Sequence, residues 1–405
     1  MVHPTGHLLT RRLHYFTLRI AYYHGLCAGF MPSHYNWHNG ELHQSQLYLI
    51  YSGCIQLGFA LGTPYAYRKY LEKSSEIFGD EVKHWTDILT NSGRYLTFTM
   101  LSLFVWMRRR KMFELWSVFW RLERRYERIL LADDGNTTMH TRWLLLYYFW
   151  TQHIVTPLTS IYVLLQFPCQ TNAHIVMTFI SWALSTVQVM LAYYTLCLHC
   201  HLLQKFEAIN CELQCVLTAL RNLASFGRRI AVPARLRLLT QRLSCLANAH
   251  FAYFRLTQRL LGFGQLPFLL ILIKCFIVNM TGMHTCVWHI FHFSSLYNLV
   301  ALLLVVVLYG SLAPSIAGLT WLLSSCNRSG QILRDANVLV ALRDNYELMA
   351  VLDRFAVYLR SHRLRYIVCG LLDFDLQQCF SLIVVVLVQV TVLIQFDMEG
   401  EIIKI

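Results

Sequence analysis

Apolar residues along this chain gather into long uninterrupted runs, and charged residues into separate blocks between them. Residues 143–204 contain no Asp, Glu, Lys or Arg, residues 260–327 contain one, Lys274, and residues 376–396 contain none. A helix needs about 20 apolar residues to cross the hydrocarbon layer, so these stretches hold two, two and one crossings. Residues 42–67 lack the same four residue types and give a further span. Residues 88–107 give another, with Arg94 near its start, where a long stem can snorkel. The spans are then 42–67, 88–107, 143–167, 174–198, 264–288, 296–321 and 374–396, with a turn at 168–172. Pro157, Pro267 and Pro314 fall inside them, which membrane helices tolerate because neighbours satisfy the freed carbonyls. The expected fold is all-α: a polytopic membrane protein of seven transmembrane helices, a single domain over residues 1–405.

The blocks between spans have a helical period of their own. Met112, Leu115, Phe119, Leu122, Tyr126 and Ile129 alternate steps of three and four, as do Leu236, Leu239, Leu243, Leu246, His250 and Tyr253. Leu348, Leu352, Phe355 and Leu359 repeat the pattern. Such stripes predict amphipathic helices with one buried side. They pack on one another beneath the membrane or in part against another subunit. Residues 227–233 break the second block into two helices. Residues 13–31 contain Arg19 and His24 and lack a clean apolar run before a small-residue cleavage site. They read as an interfacial or re-entrant helix rather than a signal peptide or an eighth span.

Composition and charge fix the compartment and the orientation. Hydrophobic residues make up 56% of the 405 and charged residues 14%, against roughly 25% charged in soluble domains. The net charge of +13 is placed on one side: three basic residues precede the first span, nine lie in 108–142, nine in 205–259 and seven in 328–365, which is 28 of the 35 Lys and Arg. That placement argues for a membrane orientation, not for nucleic acid. By the positive-inside rule the basic side is cytoplasmic, so the N-terminus is inside and the C-terminus outside. The first outer loop is the exception, with Arg68, Lys69, Lys73 and Lys83 beside Glu72, Glu76, Asp80 and Glu81. Sequons occur at Asn136, Asn279 and Asn327. In this topology the first and third are cytoplasmic and beyond reach of glycosylation, and Asn279 lies towards the outer end of its span.

Candidate chemistry is sparse. No metalloprotease, P-loop or dinucleotide motif occurs, no catalytic residue is expected, and neither a cofactor nor a metal. Cys197, His199, Cys200 and His201 form a dense cluster, but residues one and two apart on a helix point different ways. His34 and His38 sit beside Pro32, in what reads as a loop. The thirteen Cys form no framework; Cys169 and Cys286 both fall near the outer face. Lys274 is the one ionisable residue deep in an apolar run, and must face protein or water, in a polar cavity or against a backbone carbonyl, unless it snorkels. Glu123-Arg124-Arg125-Tyr126 is similar to the acidic–Arg–Tyr signature of G-protein-coupled receptors. Here, however, it follows span 2, the orientation is inverted, and span 7 has no N-P-x-x-Y. A transporter would show internal repeats, and none is present.

The C-terminal end carries a different resemblance. Cys369-Gly370-Leu371-Leu372-Asp373-Phe374-Asp375, followed by an apolar helix ending Leu393-Ile394-Gln395-Phe396, resembles the last span of insect gustatory receptors, which are related to insect odorant receptors. Val388 and Gln389 stand where that family has Thr and Tyr. Residues 22–36 and Ser325-Cys326-Asn327 are similar to the family more loosely, and the length, spans and topology match.

The resemblance implies a taste receptor that acts as a ligand-gated cation channel in the plasma membrane of chemosensory neurons, in dendrite, axon and soma. It implies membrane lipid and a small-molecule tastant as partners, and homo- or heterotetramers with other gustatory receptors. Span 7 of each subunit would line the pore: Val392 at the constriction, Gln395 near the outer mouth, with Val388, Gln389 and Phe396 on the same helix. The ligand pocket would lie inside each helical bundle. Lys274 and the outer-half aromatics Tyr95, Tyr162, Trp182, Trp288 and Tyr297 are candidates for it, although aromatics in a bundle also serve as packing and interface anchors. Gln389, Thr391 and Gln395 in span 7 could equally hydrogen-bond between helices of one bundle.

Overall fold

The apolar runs and the striped blocks join into single helices. The computed structural model describes residues 4–29, 33–36, 41–77, 81–126, 135–155, 157–158, 161, 172–225, 232–292, 313–334, 345–374 and 376–402. Helix α1 is Pro4–Cys27, α2 Gln46–Ile77, α3 Glu81–Tyr126 and α4 Gly135–Trp150, the last continued by a π-helical stretch, Thr151–Val155. Then follow α5, Asn172–Ser225; α6, Val232–His292; α7, Ala313–Arg334; α8, Tyr346–Ser361; and α9, Leu376–Ile402. Helices α5 and α6 have 54 and 61 residues. At 1.5 Å per residue they are roughly 80 and 90 Å long, far more than a bilayer's thickness. Two helices among the described residues are long and apolar enough by themselves to cross a membrane, over Ile175–Leu223 and Pro233–Val278. A shorter apolar stretch, Val384–Gln395, lies in α9.

Two short antiparallel pairs interrupt the helices. Strand β1, Ser33–Asn36, pairs with β2, Glu41–Gln44, setting His34 opposite His43. Thus His34 is in a strand where a loop was expected, and residues 42–44 pair with it instead of opening the first span. The alternation of side chains over these few residues is too short to announce a hairpin, and pairing satisfies backbone groups that a loop would leave to water. The second pair, β3 (Ile367–Val368) and β4 (Leu372–Asp373), closes through Cys369 at φ 51° and Gly370 at φ 73°. Positive φ at both central residues is what a type I′ turn needs.

Helix α1 stops because Gly29, at φ 68°, turns the chain into the left-handed region. The Gly29 carbonyl accepts from Ser52 Oγ and from Gln56 Nε2, the latter at 2.9 Å, which ties the end of α1 to α2. Further along, Tyr194 of α5 donates to the Ala21 carbonyl at 2.9 Å.

The largest core lies in the segments read as cytoplasmic. Leu115, Phe119 and Tyr126 of α3 meet Phe206, Ile209 and Leu213 of α5 and Leu243, Leu246 and Tyr253 of α6. Leu322 and Ile332 of α7 join them, with Leu348, Leu352, Phe355 and Leu359 of α8. Each predicted stripe thus sends residues into this core; of the first, Met112 stays outside the cluster and Ile129 lies outside the described residues. Helix α8 is started by Asn345, whose Oδ1 accepts from Leu348 N at 2.9 Å. A partly buried ion pair, Lys205 with Glu123, ties α5 to α3. The Cys197–His201 run splits as its spacing demands: Cys200 and His199 are buried, and His201 lies against Phe119, ring centroids 5.6 Å apart.

Inside this core Asn210 joins α5 to α7. Its Nδ2 donates to the Ser325 carbonyl at 2.9 Å and its Oδ1 accepts from Ser329 Oγ at 2.5 Å. Replacement by Leu strands both partners in an apolar surround. Asn210→Leu should cost about 1–3 kcal/mol, read as a lower unfolding temperature of the purified protein in detergent.

His250 sits between Phe206 and Phe355 and reaches the Cys326 carbonyl with Nε2 at 3.3 Å. Burial pushes its imidazole down to about 4 from 6.5. The folded state holds it neutral while the unfolded chain takes up a proton near pH 6.5. Its contribution is therefore complete above pH 6.5 and is lost as pH falls towards 4, by at most about 1.4 kcal/mol per unit. The unfolding temperature of the protein should drop across that window, and that of His250→Phe should drop less.

Candidate functional site

Helix α9 lies at the edge of the subunit, packed mainly on α6. Its buried positions, Val386 and Val390, face inward. Val388, midway between them and about 200° round the helix from each, is 54% exposed. Ser381, Val385, Val388, Val392 and Gln395 recur at steps of four and three, and all are exposed, as is Gln389. They form one outward stripe, apolar over most of its length, with a polar amide at its far end. Phe396 is on the same helix.

The ligand-pocket candidates are dispersed. Tyr95 of α3 turns towards α2, its hydroxyl donating to the Ala60 carbonyl at 2.9 Å. Trp182 of α5 is exposed at the surface. Lys274 is half-buried in α6. Trp288 belongs to α6 as well, while Tyr162 and Tyr297 lie outside the described residues, as does Cys169.

What the structure does assemble is a polar seam where α3, α5 and α6 meet. Thr90 Oγ1 donates to Thr281 Oγ1 at 2.7 Å. Ser181 Oγ donates to Asn91 Oδ1 at 2.8 Å, and Gln188 Nε2 to the Arg94 carbonyl at 3.1 Å. In a low dielectric such bonds lock helices that no hydrophobic force draws together. These residues do not stand out in the sequence, because each is a small or neutral group within an apolar run. A signal was available: Ser181 and Gln188, and Lys274 and Thr281, are seven apart, hence on one face of each helix. Among the described residues, no group of three or more His, Cys, Asp or Glu is arranged to hold a metal ion.

Comparison with known proteins gives these features a family. A model of the 7tm chemosensory receptors matches residues 18–400. The chain is 25% identical over 427 aligned positions to Drosophila melanogaster gustatory receptor 58a, covering 96% of this chain and 99% of that one. It is 36% identical to gustatory receptor 58b of the same species over 78 residues, 19% of each chain. Among solved structures, the insect olfactory receptor OR5 of Machilis hrabei superposes with a TM-score of 0.61 at 13% identity, over 96% of this chain and 99% of the other. The same receptor in complex with eugenol gives 0.64 over the same coverage. The fold is shared from end to end, and the chain belongs to the 7tm chemosensory receptor family, as a membrane receptor akin to the gustatory receptors.

Proposed function

We propose that this receptor is a ligand-gated cation channel of seven spans, N-terminus inside, that assembles as a tetramer around α9 and detects small-molecule tastants through its helical bundle. The observation that carries this is the outward stripe of α9. A helix so apolar, packed on one face and exposed on the other, needs a covering. Lipid can cover the apolar part, but the exposed amides of Gln389 and Gln395 sit better on a wet axis among copies of the same helix. Four Val392 side chains on that axis would dewet a narrow passage, and four Gln395 amides would offer carbonyl oxygens to a cation without fixed charge. The eugenol-bound relative supports a small organic molecule as ligand, and a homo- or heteromeric assembly with other gustatory receptors follows the family resemblance.

The topology has its own test. The Asn327 amide is already engaged, donating to the Leu364 carbonyl and accepting from Leu364 N, both at 3.0 Å. A glycan on that nitrogen would break the clamp. No glycan is expected at Asn327 or Asn136, and an antibody should reach a C-terminal epitope tag on intact cells. Staining that requires permeabilised cells would overturn the orientation and favour a G-protein-coupled type of receptor.

The pore register is tested by current. Val392→Ser should hydrate the constriction and give ligand-independent leak. Gln395→Glu should raise calcium preference or produce calcium block. If both variants reach the surface and both behave as the unmodified channel, α9 does not line a pore in this register.

A further inference from the structure

Helix α3 changes character at one point along its outer face. Leu96, Met100, Leu103 and Met107 recur at steps of four and three, and all are exposed, Met107 to 75%. Three and four positions after Met107 stand Arg110 and Lys111, also exposed, with Arg108 and Arg109 beside them. An apolar stripe suited to lipid tails thus runs straight into a block of cations. Trp106 closes the apolar part. Its ring lies 5.2 Å from the Arg109 guanidinium, and its carbonyl accepts from Arg109 at 3.3 Å. On α2, a Cβ at Gly53 would come within 2.9 Å of this indole, so the glycine makes room for it.

The neighbouring helices put this point at the inner edge of the spans. Phe98 clusters with Leu184 and Val187 of α5, and Phe119 lies against His201, so residues 108–111 run beside the part of α5 that holds Leu196. A Cβ on Gly318 of α7 would meet Leu196 and also Leu144 of α4. Trp143 and Trp321, both exposed, stand within a turn of those residues. Tryptophan at one level on α3, α4 and α7 marks a headgroup region. Helix α6 adds cations there. It runs antiparallel to α3, with Thr90 on Thr281 and the rings of Phe104 and Phe263 5.1 Å apart. Arg108 comes four after one ring and Arg259 four before the other, so both lie one turn nearer the basic end, on the faces that carry the rings. Both are exposed, as is Arg255 a turn further on, whose guanidinium lies 4.0 Å from the Phe251 ring centroid. The acid beside them is Glu114, exposed on α3, and residues 232–292 contain no Asp or Glu. The other nearby acids are engaged elsewhere: Glu123 by Lys205, Glu207 by Arg328 and Glu212 by Arg242. Among the described residues, no ion pair forms with Arg108, Arg110, Lys111, Arg255 or Arg259.

Exposed apolar surface that ends in unpaired positive charge fits an amphiphile of opposite sign, with its tails along the stripe and its head on the cations. A headgroup of one net charge would leave most of the cluster uncompensated. A phosphorylated inositol ring presents several phosphates, which suit guanidinium forks and a mobile ammonium, and basic clusters just inside a membrane helix recognise such lipids. We propose that α3 and α6 form a binding site for a polyphosphorylated inositol lipid at the inner edge of the membrane, held by Arg108, Lys111 and Arg259. This rests on reading residues 88–107 and 264–288 as spans, and is independent of what lines the pore.

The test uses the full chain in nanodiscs of phosphatidylcholine alone, or with phosphatidylserine or a phosphatidylinositol bisphosphate added to equal total charge. The bisphosphate should raise the unfolding temperature clearly more than the serine lipid. Combining Arg108→Gln, Lys111→Gln and Arg259→Gln should weaken the apparent affinity for a fluorescent bisphosphate lipid at least about tenfold. Combining Arg68→Gln and Lys69→Gln, at the other end of the bundle, should leave that affinity unchanged. Equal stabilisation by the serine lipid, or an unaltered affinity in the triple variant, would overturn the proposal. So would an equal loss in the Arg68 and Lys69 variant, which would reduce the effect to net charge. Soluble inositol trisphosphate in phosphatidylcholine nanodiscs separates the sources: stabilisation as large as the lipid gives would overturn a lipid site. A triple variant that changes the number of subunits per particle but binds the lipid normally would assign the face to a second copy and overturn it too. If the triple variant fails to fold, Lys111→Gln alone and the ranking of the two lipids on the unmodified protein decide.

Discussion

The lower half of α5 carries a broad apolar face that has to be buried, and the rest of the fold is arranged to do it. Phe206, Ile209, Leu213 and Leu220 are enclosed by α3, α6, α7 and α8. This region is read as lying in water, where removing apolar area from solvent is the main favourable term. The pieces that enclose α5 come from three separate blocks of sequence, each an extension or neighbour of a membrane helix. Assembling this core therefore positions the apolar upper parts of the helices as well, since α3, α5 and α6 run without a break from one part into the other.

Above that core the physics changes. Hydrocarbon around a helix is as apolar as its side chains, so burial no longer drives association. The structure reflects this in what joins the helices. Below, packed Leu and Phe dominate, with polar ties such as Asn210, the Lys205–Glu123 pair and the Asn327–Leu364 clamp set among them. Above, the apolar clusters are small: Phe98, Val105, Leu184 and Val187 in one, residues around Tyr148 and Tyr193 in another. The joints there are hydrogen bonds such as Thr90–Thr281 and Ser181–Asn91. A bundle held by a few polar bonds yields more readily than one held by an interdigitated core, and receptors place binding regions at that softer end.

Much of this was legible in the sequence. The stripe Leu348, Leu352, Phe355, Leu359 is buried as its period requires, and the break expected at residues 227–233 overlaps the junction between α5, which ends at Ser225, and α6, which begins at Val232. Other features depend on tertiary register, which period alone does not encode. That Thr90 meets Thr281 follows from where α3 slides against α6. The β1–β2 pair was hidden because four residues are too few to show alternation. The π-helical stretch Thr151–Val155 was foreshadowed by Pro157 but not specified: proline deprives one carbonyl of its donor, and a widened turn is one of several ways to accommodate that. For the pore candidates, the sequence identified the helix, while the exposed side of Val388, Val392 and Gln395 became visible only once Val386 and Val390 were seen to face inward.

The seam, the core and α9 meet at one place on α6. Pro267 stands seven positions below Lys274 and is followed by Phe268. The Phe268 ring lies edge-on to Phe374 at 4.8 Å and to Tyr366 at 5.5 Å, and those two rings are 6.3 Å apart. Tyr366 and Phe374 flank the β3–β4 pair, and Phe374 precedes α9 by two residues. Phe374 N donates to the Tyr366 carbonyl at 2.9 Å, so the hairpin and the root of α9 form one unit. Closely packed aromatic rings cannot move past one another by small continuous steps. A displacement of α6 at the level of Phe268 must be taken up by this trio, and the first element on its far side is the helix that carries Val392 and Gln395. Proline at position 267 leaves the helix without one backbone bond in the turn just before Phe268, so α6 is least held by its own backbone where it meets the aromatic contact to α9.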